Sequence, residues 1–171
     1  MNLQSTDFEL FDVPSAFAQD AAQLDARWKD LQRQLHPDKF AAEGAVAQRV
    51  AMQWSVRINE AYRRLKDPVR RAAYLCELNG APIDAERNTT MPADFLMQQM
   101  ELREALDDAA AAAALEGVVT QAQALQRELL EQLAQQTDER ANWPAAAQTV
   151  RALMFLDKLA TEVERKRATL D

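Results

Sequence analysis

The tripeptide His36–Pro37–Asp38 places an imidazole and a carboxylate two positions apart. Such a pair can act as a general acid and base, or it can form a polar binding loop. His36 is the chain's only histidine, with no cysteine nearby, so a metal site or a catalytic triad is not indicated. Pro37 lacks a backbone N–H and restrains the residue before it, so a helix should stop here. By itself, the tripeptide predicts either a plain helix stop or a functional loop.

Two amphipathic helices are predicted on either side of this tripeptide. The first, over 20–35, has one apolar stripe, formed by Leu24, Trp28, Leu31 and Leu35. Its opposite face is basic and carries Lys29, Arg33 and His36. The second, over 45–65, has an apolar stripe formed by Val46, Val50, Trp54, Ile58, Ala61 and Leu65. Joined by a loop that runs to Gly44, they predict an antiparallel hairpin with the tripeptide exposed.

The remaining elements are also predicted to be helical. The opening apolar residues Phe8, Leu10 and Phe11 predict a short turn or helix that packs on the helices after it. A helix over 69–79 should end at Gly80 in the C′ position. After a segment rich in Gly, Pro, Asn and Thr, helices over 92–108, 110–136 and 144–170 predict a three-helix bundle. The fold class is therefore all-α, with domains expected at 1–79 and 92–171 and a linker at 80–91.

Two helix boundaries rest on local signals. Asn142–Trp143–Pro144 should begin the last helix. The boundary between the helices over 92–108 and 110–136 stays open, because Ala109–Ala114 could be helical throughout. Asp107 or Asp108 could N-cap the later helix.

Composition excludes several classes of function. The chain has 171 residues, 48% of them hydrophobic, and a net charge of −7. An acidic protein is a poor ligand for nucleic acid, whose phosphates dominate binding. No run of 18 or more apolar residues predicts a membrane span, and the amino terminus does not read as a signal peptide. One cysteine excludes an internal disulfide. A cytoplasmic monomer is expected.

The helix over 92–108 has two apolar faces. Phe95, Leu102 and Leu106 form one stripe, which suffices for a core. A second patch, defined here as Leu96, Met97 and Met100, lies roughly opposite, and Glu101, Glu104 and Asp108 border it. The helix is either buried on both sides, for instance against the first domain, or it presents an exposed apolar patch with an acidic rim. The latter is typical of a protein-binding face.

Three segments resemble a J-domain: LFDVP near the start, LQRQLHPDKF at 31–40 and INEAYRRLKDPVRRAAYL at 58–75. The resemblance implies docking on the ATPase domain and linker of a DnaK-type chaperone, and stimulation of its ATPase. Asp38 would accept a charge-assisted hydrogen bond from an arginine, Pro37 would fix the loop and His36 would add a polar contact. The residues expected to steer encounter with an acidic patch are Lys29, Arg33 and Lys39. For Lys29 and Arg33, an ordinary solvated face is an equal alternative. The basic cluster at 63–71 is expected to pack and ion-pair internally.

The whole chain resembles the HscB/Jac1-type co-chaperones of iron–sulfur cluster assembly, through FLMQQMELREALDD and TVRALMFLDKL. This resemblance implies an HscA-type chaperone and an IscU-type scaffold as partners. The implied scaffold-binding residues are Leu96, Met97, Met100, Glu101, Glu104, Asp108 and Phe155. Met100 and Asp108 stand where the family more often has Leu and Glu. The protein itself is expected to be no enzyme and to hold no metal or cofactor, and Cys76 is expected to be a buried thiol.

Two rival interpretations stay open. One is a J-protein that serves another client, with the carboxy-terminal bundle as a dimerisation or docking module. The other is a small helical enzyme that uses His36 and Asp38 as an acid–base pair. The intervening Pro37 and the lack of other convergent polar groups argue against an enzyme.

Overall fold

The computed structural model describes residues 2–170, and the chain divides into two compact units, Met1–Leu75 and Cys76–Asp171. Their α-helices are α1 (Asp7–Phe11), α2 (Ala21–Leu35), α3 (Ala45–Lys66), α4 (Pro68–Leu78), α5 (Phe95–Asp108), α6 (Ala112–Ala134) and α7 (Trp143–Leu170). Within residues 2–170 no β-strand is formed, so the predicted all-α class is confirmed. No helix in this part of the chain is long and apolar enough to span a membrane.

In the first unit, α2 and α3 pack as the predicted antiparallel hairpin. Asp25 near the start of α2 contacts Tyr62 and Lys66 near the end of α3. Further along α2, Trp28 Nε1 and Gln32 Nε2 both donate to the side-chain oxygen of Asn59. Because later positions on α2 contact earlier positions on α3, the two helices are antiparallel.

The core of the first unit forms around the second half of α3. Leu24, Ile58, Ala61 and Leu65 are buried there, and Trp28, Leu31 and Leu35 are half-buried. Helix α1 adds Phe8, Leu10 and Phe11, all buried, as the apolar opening predicts. Val46 and Val50 are exposed, so the predicted stripe of α3 is wrong at its start. The antiparallel pairing with α2 covers the later turns of α3, and its first turns extend beyond the core.

The connection between α2 and α3 is more ordered than the predicted loop. Pro37–Glu43 forms a 3-10 helix, and Gly44, with φ of 100°, ends it. Helix α4 starts where the Asp67 carboxylate accepts the Val69 N–H at 2.9 Å. After α4, Gly80 has a φ of 80°, the left-handed conformation predicted for it.

Helices α5, α6 and α7 form the predicted three-helix bundle of the second unit. The buried leucines on these three helices are Leu102, Leu106, Leu115, Leu125, Leu129, Leu133, Leu153, Leu156 and Leu159. Residues 109–111 separate α5 from α6, and Ala111 is the N-cap of α6 without a side-chain hydrogen bond, so capping by Asp107 or Asp108 is wrong. Helix α6 continues into a π-helical turn at Gln135–Glu139.

The segment 80–91 belongs to the second unit and contacts a buried arginine of α7. Arg151 Nε donates to the carbonyl of Ile83 at 3.0 Å, and Nη1 donates to that of Thr90 at 3.0 Å. Ile83 is itself buried. The compact units divide between Leu75 and Cys76, whereas the sequence places the end of the first domain at 79.

Candidate functional site

The geometry of His36–Pro37–Asp38 follows from the end of α2. His36 is the C-cap of α2 in an extended conformation, and Pro37 begins the 3-10 helix. Because Nδ1 of His36 accepts the backbone N–H of Asp38 at 3.2 Å, the ring proton of the neutral imidazole is on Nε2. The imidazole therefore fixes the backbone that carries Asp38. The Asp38 side chain is 88% exposed, so its carboxylate is open to an external cation.

The basic residues predicted to accompany this tripeptide are all exposed. Lys29 and Arg33 lie one turn apart on α2, and Lys39 lies in the 3-10 helix. Arg33 forms an ion pair with Asp30 of the same helix, which offsets part of its charge. The structure thus places the two α2 cations on one solvent-facing side.

The basic cluster at 63–71 is largely engaged within the first unit, as the resemblance implies. Arg64 pairs with the buried Asp7, and Arg71 donates to the carbonyls of Phe17 and Leu65. Lys66 and Tyr62 both donate to the Asp25 carboxylate. The Lys66 hydrogen bond, more than that from Tyr62, lowers the pKa of Asp25, and the bond to Asp25 raises the pKa of Lys66. These contacts stabilise the fold.

Helix α5 presents the apolar patch to solvent. Leu96, Met97 and Met100 are 62%, 66% and 60% exposed, while the opposite stripe of Phe95, Leu102 and Leu106 is buried. The acidic residues Glu101, Glu104 and Asp108 are exposed as well. The second unit thus buries one face of α5 in its bundle and leaves the patch exposed beside its acidic residues.

A shallow groove runs beside the patch, between α5 and α7. The predicted scaffold-binding residues that line it are Leu96, Met100, Glu104, Asp108 and Phe155. Met97 and Glu101 lie on α5 outside its lining. Phe155 is half-buried rather than fully exposed, because its ring packs edge-on against Phe95 at 5.7 Å between centroids.

One groove residue, Arg103, was not among the sequence-predicted site residues. Its guanidinium lies 5.6 Å from the centroid of the Phe155 ring and forms an ion pair with Glu162. On a helical wheel, Arg103 falls between the buried stripe and Leu96, a boundary position that could have drawn attention. Its contact with Phe155 depends on α7, which helical periodicity does not place.

No metal centre is evident among the residues that the structure describes. Within 2–170, no three His, Cys, Asp or Glu side chains come together in a possible metal site. Cys76 is buried, as expected, and burial raises the pKa of its thiol to about 11, with Arg151 opposing the shift. A thiol that stays protonated near neutral pH is a poor nucleophile and a poor metal ligand.

Comparison with known proteins places the chain in a family. Residues 91–164 match the family model described as the HSCB C-terminal oligomerisation domain. The chain is 48% identical over 166 residues to the co-chaperone protein HscB homolog of Burkholderia multivorans, across 95% of this chain and 94% of that protein. The chain belongs to the HscB family of co-chaperones. The family predicted from the sequence motifs is thereby confirmed.

Solved HscB structures support the same conclusion. The chaperone HscB from Vibrio cholerae is 40% identical and superposes with a TM-score of 0.82, over 98% of this chain and all of that one. The human co-chaperone HscB is 25% identical, with a TM-score of 0.89 over 99% of this chain and 86% of that one. The predicted J-domain with a carboxy-terminal helical bundle is confirmed. HscB proteins are co-chaperones that act in iron–sulfur cluster assembly, and this chain is one of them.

Proposed function

We propose that this protein stimulates the ATPase of a DnaK-type chaperone, HscA, and delivers an IscU-type iron–sulfur scaffold to it. The observation that carries the proposal is the exposed patch of Leu96, Met97 and Met100 on a helix whose other face already supplies the core. Folding of the bundle needs only one buried stripe, so three large apolar side chains kept in solvent indicate a partner. The protein catalyses no reaction itself.

The first unit is the proposed chaperone-binding part. The exposed Asp38 carboxylate accepts a charge-assisted hydrogen bond from an arginine of the chaperone, and such bonds are about twice as strong as neutral ones. His36 holds the Asp38 backbone in place, and Pro37 restrains the turn. Lys29, Arg33 and Lys39 steer encounter with an acidic surface.

The second unit is the proposed scaffold-binding part. The apolar patch supplies the anchors, and Phe155 extends the apolar surface on α7. The acidic side chains along it, Glu101, Glu104 and Asp108, select a partner whose rim is basic. The iron–sulfur cluster remains with the scaffold, and this chain binds the scaffold without a metal or cofactor of its own.

Joining the two binding parts in one chain gives the protein its use. Once the first unit engages the chaperone, the scaffold held by the second is at a high effective concentration near it. The chaperone cycle then favours transfer of the cluster to acceptor proteins. The proposed location of the protein is the cytoplasm, and it acts there as a monomer.

Asp38→Asn tests the chaperone-binding part. The change keeps the shape of the side chain and removes its charge, so stimulation of the HscA ATPase should fall to near the unstimulated rate. Glu43→Gln is the matched control, since Glu43 is an exposed carboxylate of the same 3-10 helix. Steady-state ATP hydrolysis is measured, with circular dichroism to verify the fold. Normal stimulation by Asp38→Asn would refute the proposed J-domain contact.

The double variant Leu96→Ala/Met97→Ala tests the scaffold-binding part. Loss of two clustered apolar anchors should weaken binding of the IscU-type scaffold by about 2 kcal/mol or more. The melting temperature should hardly change, because both side chains are exposed. Met52→Ala/Val56→Ala, which removes exposed apolar side chains of α3, is the control. Undiminished binding by the α5 variant in calorimetric titration would show that the scaffold docks elsewhere or is not the client.

A further inference from the structure

Arg103 lies between the groove of α5 and the aromatic ring on α7. Its guanidinium carbon is 5.6 Å from the centroid of the Phe155 ring, within the range of a cation–π contact. Its Nη1 forms an ion pair with Glu162, which lies two turns after Phe155 on α7. Both the charge and the planar face of Arg103 are therefore engaged by α7.

Phe155 is a side chain whose orientation needs support. Its edge-to-face contact with the buried Phe95 holds one side of the ring, and Arg103 holds it from α5. The ring stays half-buried and lines the same groove as Leu96 and Met100. If the ring became ordered only on binding, this ordering would subtract from the binding free energy. A ring that is already held in place avoids this cost.

Glu162 fixes the position of the guanidinium. The groove lining also contains Glu104, Asp107 and Asp108, to which a mobile arginine would be attracted. The ion pair with Glu162 instead keeps the Arg103 side chain beside α7. An arginine already neutralised within the chain has little charge left to offer a partner.

We propose that Arg103 is a positioning residue of the scaffold-binding site, which acts by holding the Phe155 ring in its binding orientation. This inference rests on the proposed function of the patch. It assigns to Arg103 no charge contact with the scaffold. Its effect on binding requires the aromatic ring.

A double-mutant cycle on the full-length chain tests this assignment, with the IscU-type scaffold as titrant in calorimetry. Arg103→Gln should weaken binding by about two- to fivefold, the size expected for a cation–π contact at an accessible site. In the Phe155→Leu background, which has no ring to hold, Arg103→Gln should leave the dissociation constant unchanged. A merely structural role, or a direct contact with the scaffold, would weaken binding equally in both backgrounds, and that result overturns the proposal.

Two further variants complete the test. Arg103→Lys should recover part of the affinity, since an ammonium group can also lie over the ring, and Glu162→Gln should weaken binding only when Phe155 is present. If Arg103→Gln does not fold, the cycle with Glu162→Gln decides by the same criterion. Leu96→Ala/Met97→Ala distinguishes failure of the proposed function from failure of the Arg103 inference. If that variant binds normally, the proposed function fails, whereas a weakened patch variant without Arg103–Phe155 coupling overturns only this inference.

Discussion

Asp7 is a fully buried carboxylate at the start of α1. Arg64 Nε and Nη2 donate to its two oxygens at 2.5 and 3.0 Å, and Arg57 Nη1 lies 2.8 Å from one of them as an ion-pair contact. The backbone N–H of Asp7 donates to the Tyr74 hydroxyl at 3.1 Å. One side chain therefore attaches the short α1 to α3, although a five-residue helix has little stability of its own.

Asp7→Asn should destabilise the first unit by about 3–5 kcal/mol, because it leaves two arginines facing a neutral group inside the fold. The free energy of unfolding is measured by urea denaturation of the full chain, followed by circular dichroism.

Asp12→Asn provides the matched control for Asp7→Asn. Asp12 is 88% exposed and its carboxylate lies 3.5 Å from Arg27, so its loss should cost less than about 1 kcal/mol. Equal effects of the two substitutions would show that burial of Asp7 does not govern its contribution.

At the scale of elements, the hairpin of α2 and α3 is held by polar contacts as well as by its core. The Asp25 carboxylate accepts from Tyr62 at 2.5 Å and from Lys66 at 2.8 Å. Tyr62 also stacks on Trp28, with ring centroids 4.8 Å apart. Side chains at the end of α3 thus meet the start and middle of α2, which fixes the register of the hairpin that presents His36–Pro37–Asp38.

The Asp25 contacts predict a pH dependence. Because Lys66 and then Tyr62 lower the pKa of Asp25 in the folded state, its stabilisation is fully present above the unfolded pKa of about 3.9 and is lost as the pH falls through the folded value. The difference in unfolding free energy between the unmodified chain and Asp25→Asn should therefore stay level from pH 6 to about 4 and shrink as the pH is lowered further, through the folded pKa of Asp25. A difference that stays constant down to pH 2 would contradict the role of the charge.

Arg151 has a comparable structural role in the second unit. The buried guanidinium donates to the carbonyls of Pro82, Ile83 and Thr90, and so holds a segment of irregular backbone against α7. Between Ile83 and Thr90, the backbone carbonyl of Asp84 accepts hydrogen bonds from the backbone N–H groups of Arg87 and Asn88 in a tight turn.

Arg151→Met should loosen this segment and leave the helices in place. Hydrogen bonds to a charged group contribute about 1.5–3 kcal/mol each, so opening of the segment should become at least about tenfold more frequent. Trypsin cleavage after the exposed Arg87 reports it, read by mass spectrometry over time. Arg165→Met, at an exposed position of the same helix, is the control. Cleavage after Arg87 at an unaltered rate in Arg151→Met would show that the segment is held by other contacts.

At the scale of the whole molecule, two compact units carry two separate surfaces on one chain. The proposed function requires both, because tethering raises the effective concentration of the scaffold only when the surfaces are linked. The family model's description mentions oligomerisation, and the monomeric state expected from the sequence stays a prediction.

Fragments of the chain test the tethering. A fragment of residues 1–79 contains α1 to α4 and should stimulate the chaperone's ATPase without binding the scaffold. A fragment of 81–171 keeps the carbonyls that Arg151 binds and should bind the scaffold without stimulating the ATPase. Addition of scaffold should raise ATPase stimulation by the full chain above the level that 1–79 reaches. An equal response of 1–79 to scaffold would show that tethering is not the purpose of the second unit.

Local chemistry in the sequence determined much of this protein. Pro37 and Gly80 mark helix ends through backbone restrictions that act on neighbouring residues alone. The two apolar faces of α5 are a matter of helical period, and the structure keeps one buried and one exposed. The sequence motifs were also sufficient to predict the family. The roles of the site residues remain predictions.

The tertiary structure decided what depends on distant residues. Residues 109–111 are three alanines, and alanine is the best helix former, yet the helix is interrupted there. Next to this interruption, Lys166 of α7 donates to the α5 carbonyls of Leu106 and Asp107. Val46 and Val50 continue an apolar stripe but are exposed, because α2 covers only the later turns of α3. Arg103 meets Phe155, and Arg151 meets segment 82–90, only once α7 is packed in the bundle. Periodicity specifies which face a residue occupies, but only the packing of helices distant in sequence specifies what lies opposite that face.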